Sequence, residues 1–141
     1  MSVSQKVPIS EIMTSDVVVL HLNDGLDKAE RLFKKNHIRH IPVIKGDKIV
    51  GMLSLTDVLR ISFADGAYRD EEEMDTDVYN MFTVSHIMAK NIVSVGPDTT
   101  IKEVAEIFAS NEFHALPVVH GEKLMGIVTT TDLIKYLLKQ F

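Results

Sequence analysis

Residues 8–60 and 83–135 of this chain are one text written twice, at an offset of 75 residues and without a gap. Ser10-Glu11-Ile12-Met13 returns as Ser85-His86-Ile87-Met88, and Ile41-Pro42-Val43-Ile44 as Leu116-Pro117-Val118-Val119. Thirteen of the 53 paired positions are identical. Whatever one copy folds into, the other must be able to fold into as well. A unit of this size buries too little apolar surface to be more than marginal alone. The two copies are therefore expected to pack together. Pseudo-symmetric halves leave clefts between them, and clefts are where ligands bind.

Each copy reads as β-α-β-β-α. Val17-Val18-Val19-Leu20 is a β-branched run with Asn23-Asp24-Gly25 behind it, which signals a strand. Asp24 is the expected N-cap of the following helix, and Thr99 or Thr100 that of its twin. Leu26, Ala29, Leu32 and Phe33 fall on one helical face, as do Ile101, Val104, Ala105 and Phe108. Two apolar runs around Gly46-Asp47, and again around Gly121-Glu122, read as tight hairpins. The last helix is expected to start near Ser54 or Leu55 and to carry Val58, Leu59 and Ile61. Its twin carries Leu133, Ile134, Leu137 and Leu138. Pro42 and Pro117 must sit where the ladder asks for no donor, at an edge or facing a cleft.

The repeats divide the chain into residues 1–62, a linker over 63–81, and residues 82–141. The linker is strongly acidic, with Arg69 as its only base and aromatic residues interleaved. It reads as a solvated connector. A site for a hard cation such as Mg²⁺ or Ca²⁺ is the sharper alternative, although the spacing is not that of a calcium loop.

Several function classes drop out. A net charge of −5, with no Lys/Arg cluster, argues against a nucleic-acid surface. The absence of cysteine removes disulfides, zinc thiolates and thiol nucleophiles. No apolar run approaches the ~20 residues that span a bilayer, and the first residues lack a signal core. The expectation is a stand-alone cytoplasmic protein. His21, His37, His86 and His120 fall at unmatched positions with no metal-ligand spacing, and no Ser/His/Asp set or glycine-rich phosphate loop is present. No metal or cofactor is expected to be required, and no catalytic residue is assigned.

The strongest local signal is the turn into the last helix. Gly51-x-x-Ser54-x-Thr56-Asp57 and Gly126-x-x-Thr129-x-Thr131-Asp132 coincide. Two hydroxyls and a carboxylate crowd a helix N-terminus, whose free N–H groups and dipole favour an anion. A phosphate can use the hydroxyls and N–H groups, and a carboxylate one turn away suits the paired hydroxyls of a ribose. Helix capping alone explains one such residue. It explains less well why both copies keep all three.

With Ile12-Met13 and Ile87-Met88 ahead of the first strand, and with the segments Ile38-Arg39-His40-Ile41-Pro42-Val43 and Phe113-His114-Ala115-Leu116-Pro117-Val118, these turns resemble a tandem cystathionine-β-synthase-type (CBS) domain pair, or Bateman module. The resemblance covers nearly all of the chain except the linker and the first residues. It implies an α/β (α+β) fold with two β-α-β-β-α repeats packed through their sheets about a pseudo-twofold axis. It implies two clefts for adenine nucleotides (AMP, ADP, ATP) or related adenosyl compounds, and pairing into a flat, disc-like homodimer. Carried over by position, Asp57 and Asp132 would bind ribose hydroxyls, and Ser54, Thr56, Thr129 and Thr131 phosphate or sugar. Arg39, His40 and His114 would face phosphates, and Met13, Val17 and Ile92 would flank the base.

The copies differ where phosphate charge should sit. Arg39-His40 stands against His114-Ala115. Arginine keeps its charge and offers a bidentate fork, whereas histidine is mostly neutral near pH 7. The cleft that receives Arg39 is expected to bind polyphosphate more tightly. The expected function is a regulatory adenine-nucleotide-binding module, not an enzyme, that signals to an unidentified client protein. The rival is a dimeric interaction scaffold with empty clefts.

Overall fold

The structure, a computed structural model, describes residues 6–67 and 81–141. The acidic linker, and with it the possible cation site, lies largely outside the described residues. The chain is α+β, and it divides into two compact units whose boundaries are displaced from those of the repeats. The first unit is Val18–Ile92; the second joins Val93–Phe141 to the N-terminal segment that ends at Val17.

The displacement has a local cause. In the second unit, Thr14 exchanges both backbone hydrogen bonds with Ile127, at 2.8 and 3.0 Å, and Ile9 N–H donates to Thr99 O at 2.7 Å. In the first unit, Ala89 exchanges both with Met52, at 2.9 and 3.0 Å, and Val84 N–H donates to Asp24 O at 2.8 Å. These partners are related by the offset of 75. Each copy's leading segment therefore completes the other copy's unit.

The first unit contains β1 (Leu20–His21), α1 (Leu26–Asn36), β2 (His40–Lys45), β3 (Lys48–Ser54), α2 (Leu55–Ala67) and the short α3 (Val84–Ile87). β1 runs parallel to β2, and β2 antiparallel to β3. The expected strand over 17–20 is reduced to two residues. Phe33, Leu20, Leu26, Ile41, Leu53, Val58 and the incoming Val84 form the core. Asp24 does not cap α1, because Gly25 holds that position. The Asp24 carboxylate instead accepts from His21 N–H at 2.8 Å and pairs with Lys28 at 3.2 Å. Burial works against its ionisation, but the His21 amide and the Lys28 ammonium outweigh that and hold the carboxyl below its usual value.

The second unit contains α4 (Ile101–Ala109), β4 (Ala115–His120), β5 (Lys123–Thr129) and α5 (Thr130–Leu138), preceded by a 3₁₀ turn at Ile9–Glu11. The counterpart of β1 is a single parallel bridge, Val95 to Val118. Ile9, Ile101, Val104, Phe108, Leu116, Val118 and Val128 form its core. Thr100 caps α4 through a capping box with Glu103. Ala105, expected on the buried face, is exposed; Ile107 packs there instead. On α5 only Leu133 of the four expected core residues packs inward, while Ile134, Leu137 and Leu138 are exposed.

Gly46 and Gly121 take positive φ at the first position of each two-residue hairpin turn, as the sequence anticipates. Pro42 stands opposite Met52, and Pro117 opposite Ile127. Because Met52 and Ile127 give both backbone groups to the exchanged segment, those cross-strand pairs share no ladder bond. A residue without N–H breaks no bond to that partner. Both prolines are buried, at positions that ask for no donor on the β3 or β5 side, and the β4 strand that carries Pro117 has only the Val95 bridge on its other side among the described residues.

Candidate ligand site at the strand-to-helix turns

The Gly-x-x-[Ser/Thr]-x-Thr-Asp motif separates into parts with different duties. Its glycine serves packing. A Cβ on Gly51 would meet Met88 Cγ at 2.8 Å and Ala89 O at 2.9 Å; on Gly126 it would meet Thr14 O at 2.8 Å and Met13 Cγ at 3.0 Å. Each glycine therefore lets an exchanged methionine and its neighbouring carbonyl lie against the hairpin. Met13 and Gly126 belong together, as do Met88 and Gly51.

The hydroxyl that follows is a cap. Ser54 Oγ accepts from Asp57 N–H at 3.1 Å, and Thr129 Oγ1 from Asp132 N–H at 3.2 Å. One further bond anchors each turn: Leu55 N–H donates to Arg39 O at 2.8 Å, and Thr130 N–H to His114 O at 3.0 Å. The segments named for phosphate contact are thereby held at the helix start. Register adds His40, which stands directly across from Ser54, as Ala115 does from Thr129. Arg39 and His114 are exposed and make no side-chain bond among the described residues.

Thr56 and Thr131 are exposed, and neither hydroxyl is bonded among the described residues. The carboxylates diverge. Asp132 Oδ2 accepts from Thr129 N–H at 2.9 Å and closes a capping box. Asp57 makes no such bond; its Oδ1 accepts from Arg60 Nη1 at 3.3 Å. Arg60 was not singled out in the sequence, although its spacing of three residues from Asp57 on a helix is a readable pairing signal.

The structure thus groups Arg39, His40, Ser54, Thr56 and Asp57 in the first unit, and His114, Thr129, Thr131 and Asp132 in the second. Met13 falls in the second unit, packed on Gly126 and partly buried. Val17 and Ile92 are half-buried where the chain passes between units, and neither joins a core cluster. Among the described residues no group of three His, Asp or Glu side chains is placed to hold a metal, and no helix is long and apolar enough to cross a membrane.

Residues 9–64 and 84–139 each match the CBS domain family model. The chain belongs to the CBS domain family. An uncharacterized protein of Methanocaldococcus jannaschii is 27% identical over 129 residues, which cover 91% of this chain and 46% of that relative. Its crystal structure aligns with a TM-score of 0.81 over 96% of this chain and 49% of that one. This chain thus spans about half the length of that relative. An Arabidopsis thaliana CBS-pair protein in complex with AMP aligns at 23% identity with a TM-score of 0.79, covering 95% of this chain and 98% of the other. A CBS domain pair in complex with 5′-methylthioadenosine and S-adenosyl-L-methionine aligns at 21% identity and 0.79, covering 96% and 98%. At these identities the last two show the CBS-pair fold.

Proposed function

We propose that this CBS pair is a regulatory module that binds an adenosine-containing ligand at its strand-to-helix turns and passes its state of occupancy to a client protein. The observation that carries the reading is the Thr-Asp step at each helix start. Packing accounts for identities such as Phe33/Phe108, Val43/Val118 and Gly51/Gly126. It gives no duty to the exposed hydroxyls of Thr56 and Thr131. A solvent-facing hydroxyl beside a carboxylate at a helix N-terminus suits a ribose and a phosphate. That relatives of this fold were crystallised with AMP, 5′-methylthioadenosine and S-adenosyl-L-methionine supports the same ligand class.

In this reading the first unit prefers phosphorylated ligands. Arg39 supplies a permanent cation beside the α2 N-terminus, where the second unit has His114. Titration of ATP against the Arg39→Ala protein is expected to show about tenfold weaker binding, the loss of one charge-assisted contact. Unchanged affinity contradicts the assignment. The same reading makes the chain a non-enzyme, cytoplasmic and homodimeric.

A thermal-shift panel with AMP, ADP, ATP, NAD and S-adenosylmethionine tests the function. A ligand at a hundred times its dissociation constant adds about 2.7 kcal/mol to the folded state and raises Tm. No shift with any of them favours the second reading, an interaction scaffold. That reading has its own support in Ile134 (58% exposed), Leu138 (66%) and Phe141 (91%), apolar side chains on and just after α5 that a partner surface would cover.

A further inference from the structure

A carboxylate at the third position of a helix has two competing partners: the N–H of the cap residue behind it, and any cation one turn ahead. The two units resolve this competition differently, although the rest of the turn is alike. Both cap hydroxyls accept from the aspartate N–H, at 3.1 and 3.2 Å, and both helix starts are anchored on the preceding segment, at 2.8 and 3.0 Å. The difference lies one turn on. The position held by Arg60 in the first unit is held by Lys135 in the second. Asp132 accepts from Thr129 N–H and makes no ion pair with Lys135 among the described residues. Asp57 pairs with Arg60 and, among the described residues, accepts no bond from Ser54 N–H.

Resting on the adenosine-binding reading, we infer that Arg60 is a positioning residue: its guanidinium holds the Asp57 carboxylate out of the capping position that Asp132 occupies, and so leaves Asp57 for the hydroxyls of a bound ribose. The choice of arginine has a physical reason. A planar fork of five donors fixes the orientation of a carboxylate, whereas an ammonium on a flexible stem is a well-hydrated point charge. The pair is also weak enough to share. Arg60 is 71% and Asp57 29% exposed, so water screens the attraction. Among the described residues Asp57 Oδ2, like Asp132 Oδ1, makes no bond, so the units differ in what orients the other oxygen. Asp132 has one oxygen fixed on the backbone and its geometry set by the cap. The first unit is therefore the ribose-selective one.

The test is a site-resolved NMR titration with AMP and with 2′-deoxy-AMP, reading the amides of Thr56 and Thr131 separately. In the wild-type protein the Thr56 site prefers AMP over its deoxy analogue. Arg60→Lys, which copies the second unit, is expected to reduce that preference by ~3-fold, the value of one hydrogen bond, with AMP losing more affinity than 2′-deoxy-AMP. Lys135→Arg is expected to raise the preference at Thr131. A preference at Thr56 that survives Arg60→Lys overturns the inference. If AMP moves neither amide, the adenosine reading is what fails. Hydrogen exchange of the Ser54 amide without ligand then decides the positioning claim alone. Slower exchange in Arg60→Lys shows the carboxylate recaptured by the cap; exchange equal to wild type overturns the claim.

Discussion

The two units solve the same local problems with different chemistry. The loop that receives the exchanged segment is closed in the first unit by Asp24, whose carboxylate takes the His21 N–H. In the second unit Thr99 does this with a neutral hydroxyl, which takes the Gly96 N–H at 3.1 Å. At the helix start, Asp132 is spent on the cap while Asp57 faces a cation. Beside that start stands Arg39 in one unit and His114 in the other. The first unit thus places Asp24, the Asp57–Arg60 pair and Arg39 where the second has Thr99, the capping Asp132 and His114. The backbone hydrogen bonds of the helix starts and receiving segments repeat while the polar side chains beside them differ, which separates what the fold needs from what a ligand would need.

The largest effects should be those the units share. Gly51→Ala and Gly126→Ala each drive a Cβ against a methionine and a carbonyl oxygen, and each should cost about 1–3 kcal/mol in urea unfolding. Similar losses support the reciprocal exchange, and a neutral change at either glycine breaks it. Adding Met88→Ala to Gly51→Ala should recover only part of the loss, since Ala89 O remains in the way.

A smaller and asymmetric effect is expected at the carboxylates. Asp132→Ala should cost about 0.5–1 kcal/mol by opening a capping box. Asp57→Ala should cost less, because an exposed pair with Arg60 is worth little. Equal losses in thermal unfolding would erase the contrast between the units.

The smallest effect concerns pH. The Asp24 carboxyl is held below its unfolded value, so the unfolded chain binds that proton more readily. The stability it contributes is present at neutral pH and lost as pH falls through the acidic carboxylate range. The advantage of wild type over Asp24→Asn, ~0.5 kcal/mol, should therefore shrink on acidification. The difference between wild type and Thr99→Ala should not change there.

Much of this was legible in the sequence, because repetition and periodicity report local geometry. The β-α-β-β-α order, the hairpin glycines, the Phe33 and Phe108 faces and the helix starts at Ser54 and Thr129 all follow from residue type and spacing. The exchange of leading segments was not legible. It is a long-range pairing that leaves each copy's own text unchanged, and its trace is indirect: a methionine and a glycine identical in both copies. Ala105 was misplaced because a small residue beside a helical stripe carries little information about which way it faces. The different fates of Asp57 and Asp132 escaped because the motif is the same in both copies; the residue that separates them, Arg60 against Lys135, lies outside it and looks conservative.

In the proposed function one carboxylate, Asp132, serves the fold and its twin, Asp57, serves a ligand. Calorimetric titration of AMP into the wild type, Asp57→Ala and Asp132→Ala proteins tests it most directly. Asp57→Ala is expected to weaken the tighter AMP site by about tenfold, as befits loss of a charged hydrogen-bond acceptor, while Asp132→Ala leaves that site as in the wild type. AMP binding that is the same in all three proteins contradicts it.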